Sequence, residues 1–160
     1  MRSPRPADFY SPRDYGAQDS VGYLMRRLVA AIRQDVDRRL DAVGLTNAQW
    51  VPLLKLKLAG ALPVAELARS CEVDAGAMTR MLDRLETKGL VRRTRSAADR
   101  RVVTIELTAD GKRAAAGIPA VLCEVQNGLL AGVSREEWQA LVATLHKMLA
   151  NAAASQEGGA

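Results

Sequence analysis

Apolar residues along this chain fall first at helical and then at strand spacing. From Ser20 to about Val43 they occupy Val21, Leu24, Leu28, Ile32, Val36, Leu40 and Val43. These steps of three and four residues draw one stripe along a long helix and leave Arg and Asp on its other faces. A second helix is predicted from Asn47 to about Ala59, ending at Gly60, a residue that accepts the left-handed conformation common just past a helix end. A short helix starts at Pro63, where a first-turn proline forfeits no hydrogen bond, and carries Leu67, Ala68 and Cys71. The next, Ala75–Lys88, turns Met78, Met81, Leu82 and Leu85 inward and stops at Gly89. There the period changes: Val103, Ile105 and Leu107 alternate with Thr104 and Glu106, as a half-buried strand requires. Thr108 caps a helix reaching the region of Leu130 and Gly132. A last helix, Arg135–Asn151, aligns Trp138, Leu141, Val142, Leu145 and Leu149.

Helix starts carry their own signals. Thr46 can cap a helix while Gln49 reaches back to complete a capping box, and Leu45 and Trp50 stand at the positions of a hydrophobic staple. Ser134, Glu137, Val133 and Trp138 repeat the device, and Asp74 offers a cap with Val73 and Met78 as staple. The predicted order is α-α-α-α-β-β-α-α, a mainly α (α+β) fold. The middle helices and the hairpin form a winged helix-turn-helix lobe over residues 46–107. Residues 20–45 and 108–151 form a helical dimerisation region, residues 1–19 an N-terminal arm with no helical period, and residues 152–160 a flexible tail. The dimer expectation has a physical basis: long amphipathic helices outside the lobe exceed what a monomer of this size needs. Their apolar sides also suit packing within one chain, and both uses are open.

Composition and charge narrow the function. Hydrophobic residues are 48% and aromatics only 4%, so the core must be built from Leu, Val, Ala and Met. A formal net charge of +5 favours an anionic partner, either nucleic acid or a membrane surface. The excess is local. Between Arg84 and Arg101 lie seven basic residues (Arg84, Lys88, Arg92, Arg93, Arg95, Arg100, Arg101) and two acids (Glu86, Asp99), a net +5 equal to that of the whole chain.

Arginine pairs phosphate bidentately, and each neutralised phosphate releases condensed counterion. A helix fits the major groove, and a hairpin tip reaches the minor groove or backbone. Asp74 would cap the reading helix, and the small residues Ala75, Gly76 and Ala77 would let its N-terminus approach DNA. Thr79, Arg80, Asp83 and Arg84 project opposite the Met/Leu stripe. Arg80 is the candidate base contact, with Thr79 and Arg84 on phosphates and Arg93, Arg95, Arg100 and Arg101 along the wing. A charge run is otherwise a solvated surface, but here a short helix and tight turn precede it and a basic hairpin follows.

The stretch from Leu67-Ala68-Arg69 through Asp74-Ala75-Gly76-Ala77-Met78-Thr79-Arg80 to Lys88-Gly89-Leu90-Val91-Arg92-Arg93 resembles the MarR family of bacterial winged-helix regulators. The resemblance continues in the wing signature, matched at Asp99, Arg101, Leu107, Thr108 and Gly111, and covers roughly residues 20–149. It implies a homodimer on a pseudo-palindromic double-stranded operator, usually a repressor weakened by a small aromatic acid or phenol. It also implies that Arg101 enters the minor groove and that Asp99 orients the wing by an ion pair. The ligand pocket of such regulators lies where the dimer helices meet the lobe. Candidates are Tyr23, Arg26 and Arg27, Trp50 and Leu54, and Arg93, with Phe9, Tyr10 and Tyr15 closing the pocket or packing on the other subunit. Trp50 read as a staple residue and Arg27 as a surface charge are the plainer alternatives.

Other functions fit less well. Cys71 and Cys123 form no CxxC pair and read as reduced cytoplasmic thiols. A thiol-based redox-sensing repressor using either is an alternative, weakened because the family's peroxide sensors carry cysteine near the start of the first helix, where this chain has Val21 and Gly22. The single histidine, His146, joins no nucleophile, and no HExxH, Walker loop or dinucleotide fingerprint is present, so no enzyme, metal or cofactor is expected. No apolar run suits a membrane span or signal peptide. A winged helix serving only as a protein-interaction module would not need arginines on the wing.

Overall fold

The computed structural model describes residues 6–41, 44–95 and 102–157. Its helices are α1 (Val21–Asp41), α2 (Asn47–Ala59), α3 (Val64–Ser70), α4 (Ala75–Thr87), α5 (Ala109–Ala116), α6 (Ile118–Leu129) and α7 (Arg135–Glu157). Strands β1 (Leu62–Pro63), β2 (Val91–Arg95) and β3 (Val103–Leu107) form one antiparallel sheet in the order β1-β3-β2. This is a winged helix, mainly helical as predicted, with three differences from the expected order. Strand β1 lay below the reach of periodicity, since two residues cannot show a period of two; Leu62 pairs with Ile105 and closes the sheet's second edge. The single helix expected after Thr108 is broken at Gly117 into α5 and α6, because Pro119 supplies no N–H and its ring obstructs a continuous helix. Helix α7 runs to Glu157, past the Asn151 end expected, because Ala150 and Ala152–Ala154 are strong helix formers.

The capping signals act as read. Asp74 Oδ1 accepts from Ala77 N–H at 2.8 Å. Gln49 Oε1 accepts from Thr46 N–H at 3.4 Å, and Ser134 and Glu137 exchange bonds of 2.8 and 3.1 Å. Contacts divide the chain into two compact units, Met1–Leu122 and Cys123–Ala160. The core of the first is aliphatic: Leu53, Leu67, Met78, Leu82, Leu85, Val91 and Ile105 are all buried. The α1 stripe divides along its length. Val36 and Leu40 are buried, whereas Leu24 and Leu28 stay 47% and 52% exposed. In the second unit Trp138, Leu141 and Leu149 on α7 are likewise exposed.

The junction of wing and α5 explains the Leu-Thr-x-x-Gly stretch. Leu107 pairs with Val91 at the base of the hairpin. Thr108 Oγ1 donates to the Gly89 carbonyl at 2.6 Å and accepts from Gly111 N–H at 3.0 Å. A Cβ on Gly111 would lie 1.8 Å from the Leu90 carbonyl oxygen, so only glycine lets the first turn of α5 sit against the hairpin.

Candidate nucleic-acid interface

Helix α4 presents the face the pattern assigned to it. Met78, Leu82 and Leu85 are buried, while Ala75, Gly76, Thr79, Arg80, Asp83 and Arg84 are exposed and Ala77 is half-buried. The Ala77 N–H bond, with help from the Arg80 charge, holds the Asp74 carboxyl below the usual carboxylate range. Its charge complements the unsatisfied N–H groups of the helix start. Thr79 Oγ1 donates to Ala75 O at 2.8 Å, leaving its lone pairs outward. The turn into α4 places Glu72 in the left-handed region at φ 55°, and Val73 N–H bonds back to Ala68 O at 3.1 Å, fixing the angle between α3 and α4.

The wing charge is distributed differently from the sequence expectation. Arg93 is not an open cation. Its Nη2 donates to Asp83 Oδ1 at 2.6 Å and its Nη1 to Glu86 Oε2, while its backbone N–H meets Glu86 Oε1 at 3.2 Å. The Asp83 hydrogen bond is the main cause of a guanidinium held more firmly protonated than usual. Arg93 therefore ties β2 to α4 through its guanidinium and its backbone N–H. Arg92, opposite Glu106 in the β2–β3 register, donates to Glu106 Oε1 at 2.7 Å. Lys88, though exposed, donates from Nζ to Gly44 O at 3.0 Å and to Oε1 of the buried Gln49 at 2.9 Å. Among the described residues Arg80, Arg84 and Arg95 make no ion pair. Asp99, Arg100 and Arg101, with the expected Asp99 ion pair, lie outside the described residues.

The expected ligand residues separate into groups. Tyr23, Arg26 and Arg27 come together, the guanidinium carbons lying 5.5 and 5.9 Å from the Tyr23 ring centroid. Trp50 and Leu54 are half-buried on α2, and Trp50 Nε1 is buried without a hydrogen-bond partner among the described residues. The cleft containing Tyr23 and Arg26 is completed by Tyr10 and Tyr15 of the arm, not by Trp50, Leu54 or Arg93. Cys71 is half-buried, and burial raises its thiol pKa, which suppresses the reactive thiolate. Among the described residues no group of His, Cys, Asp and Glu is arranged to hold a metal, and no helix is long and apolar enough to cross a membrane.

Residues 45–103, from just before α2 to the first residue of β3, match the model of the MarR family. The chain belongs to the MarR family. It is a MarR-family DNA-binding transcriptional regulator and not an enzyme. Solved structures of transcriptional regulators and DNA-binding proteins superpose over most of its length. The transcriptional regulator PA3341 is 37% identical, covering 82% of this chain and 97% of its own, with a TM-score of 0.75. A MarR variant from E. coli complexed with operator DNA is 28% identical, covering 81% and 93%, with a TM-score of 0.74. BpsR from Bordetella bronchiseptica, whose DNA binding is regulated by 6-hydroxynicotinic acid, is 26% identical, covering 84% and 96%, with a TM-score of 0.74.

Proposed function

We propose that this MarR-family regulator is a cytoplasmic homodimer that represses from a pseudo-palindromic operator and is released by a small phenolic or carboxylate aromatic. The observation that carries the dimer is the unburied apolar surface: Leu24, Leu28 and Val29 on α1 and Trp138, Leu141 and Leu149 on α7 are each 40–65% exposed. Apolar faces of this extent mark association surfaces. Residues 20–45 and 108–151 supply that region in this reading, and residues 46–107 the DNA-binding lobe. In each lobe α4 enters the major groove through Asp74–Ala77, Thr79, Arg80 and Arg84. Arg95 and the wing-tip residues Asp99, Arg100 and Arg101 engage the adjacent backbone and minor groove. The E. coli operator complex and the ligand-regulated BpsR support the two halves of this reading by likeness.

Light scattering on the purified chain, followed by gel shift with DNA selected from a random library, tests it. The expected mass is twice the 17.3 kDa of the chain. Arg101→Ala should abolish specific DNA binding while leaving that mass intact. A monomeric mass, or full binding by Arg101→Ala, overturns the reading.

A further inference from the structure

Helices α1 and α4 finish in the same sequence pattern, Leu-x-x-x-Gly-Leu, at Leu40–Leu45 and again at Leu85–Leu90. Both glycines take the left-handed conformation, Gly44 at φ 76° and Gly89 at φ 69°. Past each glycine a leucine N–H closes back over the helix end. Leu45 donates to Leu40 O at 3.0 Å, and Leu90 donates to Leu85 O at 2.9 Å. One side chain joins these two ends. Lys88, the capping residue of α4, donates from Nζ to the Gly44 carbonyl at 3.0 Å across 44 residues of sequence. The same ammonium donates to Gln49 Oε1 at 2.9 Å. That oxygen also accepts from Thr46 N–H at 3.4 Å, completing the capping box of α2. The ends of α1 and α4 and the start of α2 therefore meet at Lys88.

A cation suits this point. The last carbonyls of a helix carry partial negative charge, and an ammonium offers three donors to share among them. Gln49 is only 6% exposed, so its oxygen is a fixed acceptor. Lys88 itself is exposed, so shortening it opens no cavity, and water can take over the Gly44 carbonyl. What such a change removes is a link. Helix α1 packs on α2, and α4 on α2, α3 and β2, so the ammonium bridges two helices that each lean on α2.

We infer that Lys88 is a positioning residue for DNA recognition, holding α4 to the end of α1 and so fixing the distance and phase at which two copies of α4 meet DNA. Its ammonium is taken up by the protein and not by a phosphate. The inference rests on the reading that the chain associates through α1 and binds DNA as a pair of lobes.

The test compares the full-length wild type with Lys88→Met, which keeps the aliphatic stem without the charge, and Lys88→Arg, which keeps charge and donors. DNA selected by the wild type is remade with one base pair added or removed between its half-sites, and also as an isolated half-site. Each base pair shifts a half-site by about 3.4 Å and turns it by roughly 35°. Affinities are read by fluorescence anisotropy across a salt series. Wild type and Lys88→Arg should weaken by about tenfold or more on either altered spacing. Lys88→Met should weaken by about tenfold on the selected site and bind all three spacings nearly alike. It should match wild type on the isolated half-site and keep the salt slope. A weakened half-site would mean damage to the lobe, and a slope lower by about 0.9 would mean a phosphate contact; either result overturns the inference. A sharp spacing optimum retained by Lys88→Met also overturns it, while leaving the two-lobed reading intact. A wild type indifferent to spacing overturns that reading and the inference with it.

Discussion

Arg93 on β2 donates a 2.6 Å hydrogen bond to Asp83 on α4, joining the wing to the reading helix through side chains that are 30% and 58% exposed. A partly solvated pair of this kind contributes at most about 1 kcal/mol to stability, yet it ties together the two elements proposed to face DNA. Arg93→Gln should therefore lower the melting temperature only slightly while weakening DNA binding roughly tenfold. The slope of log affinity against log salt should stay unchanged, because no phosphate contact is lost. A slope that falls by about 0.9 would return Arg93 to the phosphate contacts.

Arg84 and Arg95, unpaired among the described residues, should behave in the opposite way. Alanine at either position should reduce the salt slope by about 0.9 and weaken binding to all sequences evenly. Fluorescence anisotropy across a salt series measures this, and an unaltered slope in both variants excludes them from the backbone contact.

Gly111 is a steric requirement. With its absent Cβ only 1.8 Å from the Leu90 carbonyl oxygen, alanine must push α5 off the hairpin. Gly111→Ala should destabilise the chain by about 3 kcal/mol, read by urea denaturation. A change under about 0.5 kcal/mol, the scale of an ordinary surface substitution, would show that the junction adjusts freely.

Asp74 gives a pH-dependent prediction. Its carboxyl is held below the usual range, chiefly by the Ala77 N–H. The stability it adds is thus fully present above the unfolded value, near pH 4, and is lost as pH falls through the lower folded value. Asp74→Ala should melt earlier than wild type at neutral pH, and the gap should narrow as the pH falls below the ordinary aspartate range and through the lower folded value. A gap that is constant with pH would mean that the cap works without its charge.

Much of this fold is legible in the residues because its signals are local. The caps at Thr46, Asp74 and Ser134 and the stripe through Met78, Leu82 and Leu85 each need only a few neighbours in sequence, and each is found where expected. What was not legible depends on register or long-range contact. The charge count between Arg84 and Arg101 could not register that Glu106 lies opposite Arg92, or that Asp83 faces Arg93, because both acids fall outside the counted window. Lys88 reads as a surface cation until the fold brings Gly44 and Gln49 to it. Tyr10 and Tyr23 meet in one cleft only because the arm turns back on α1, and a tract without helical period gives no sign of that.

The central claim is that two copies of α4 and its wing read DNA together. Hydroxyl-radical footprinting on DNA selected by the protein tests it most directly. Two protected stretches are expected, centred about 34 Å apart, one helical turn, and both should disappear together in an Arg84→Ala, Arg95→Ala double variant. A single protected stretch, or two that survive the double variant, would contradict it.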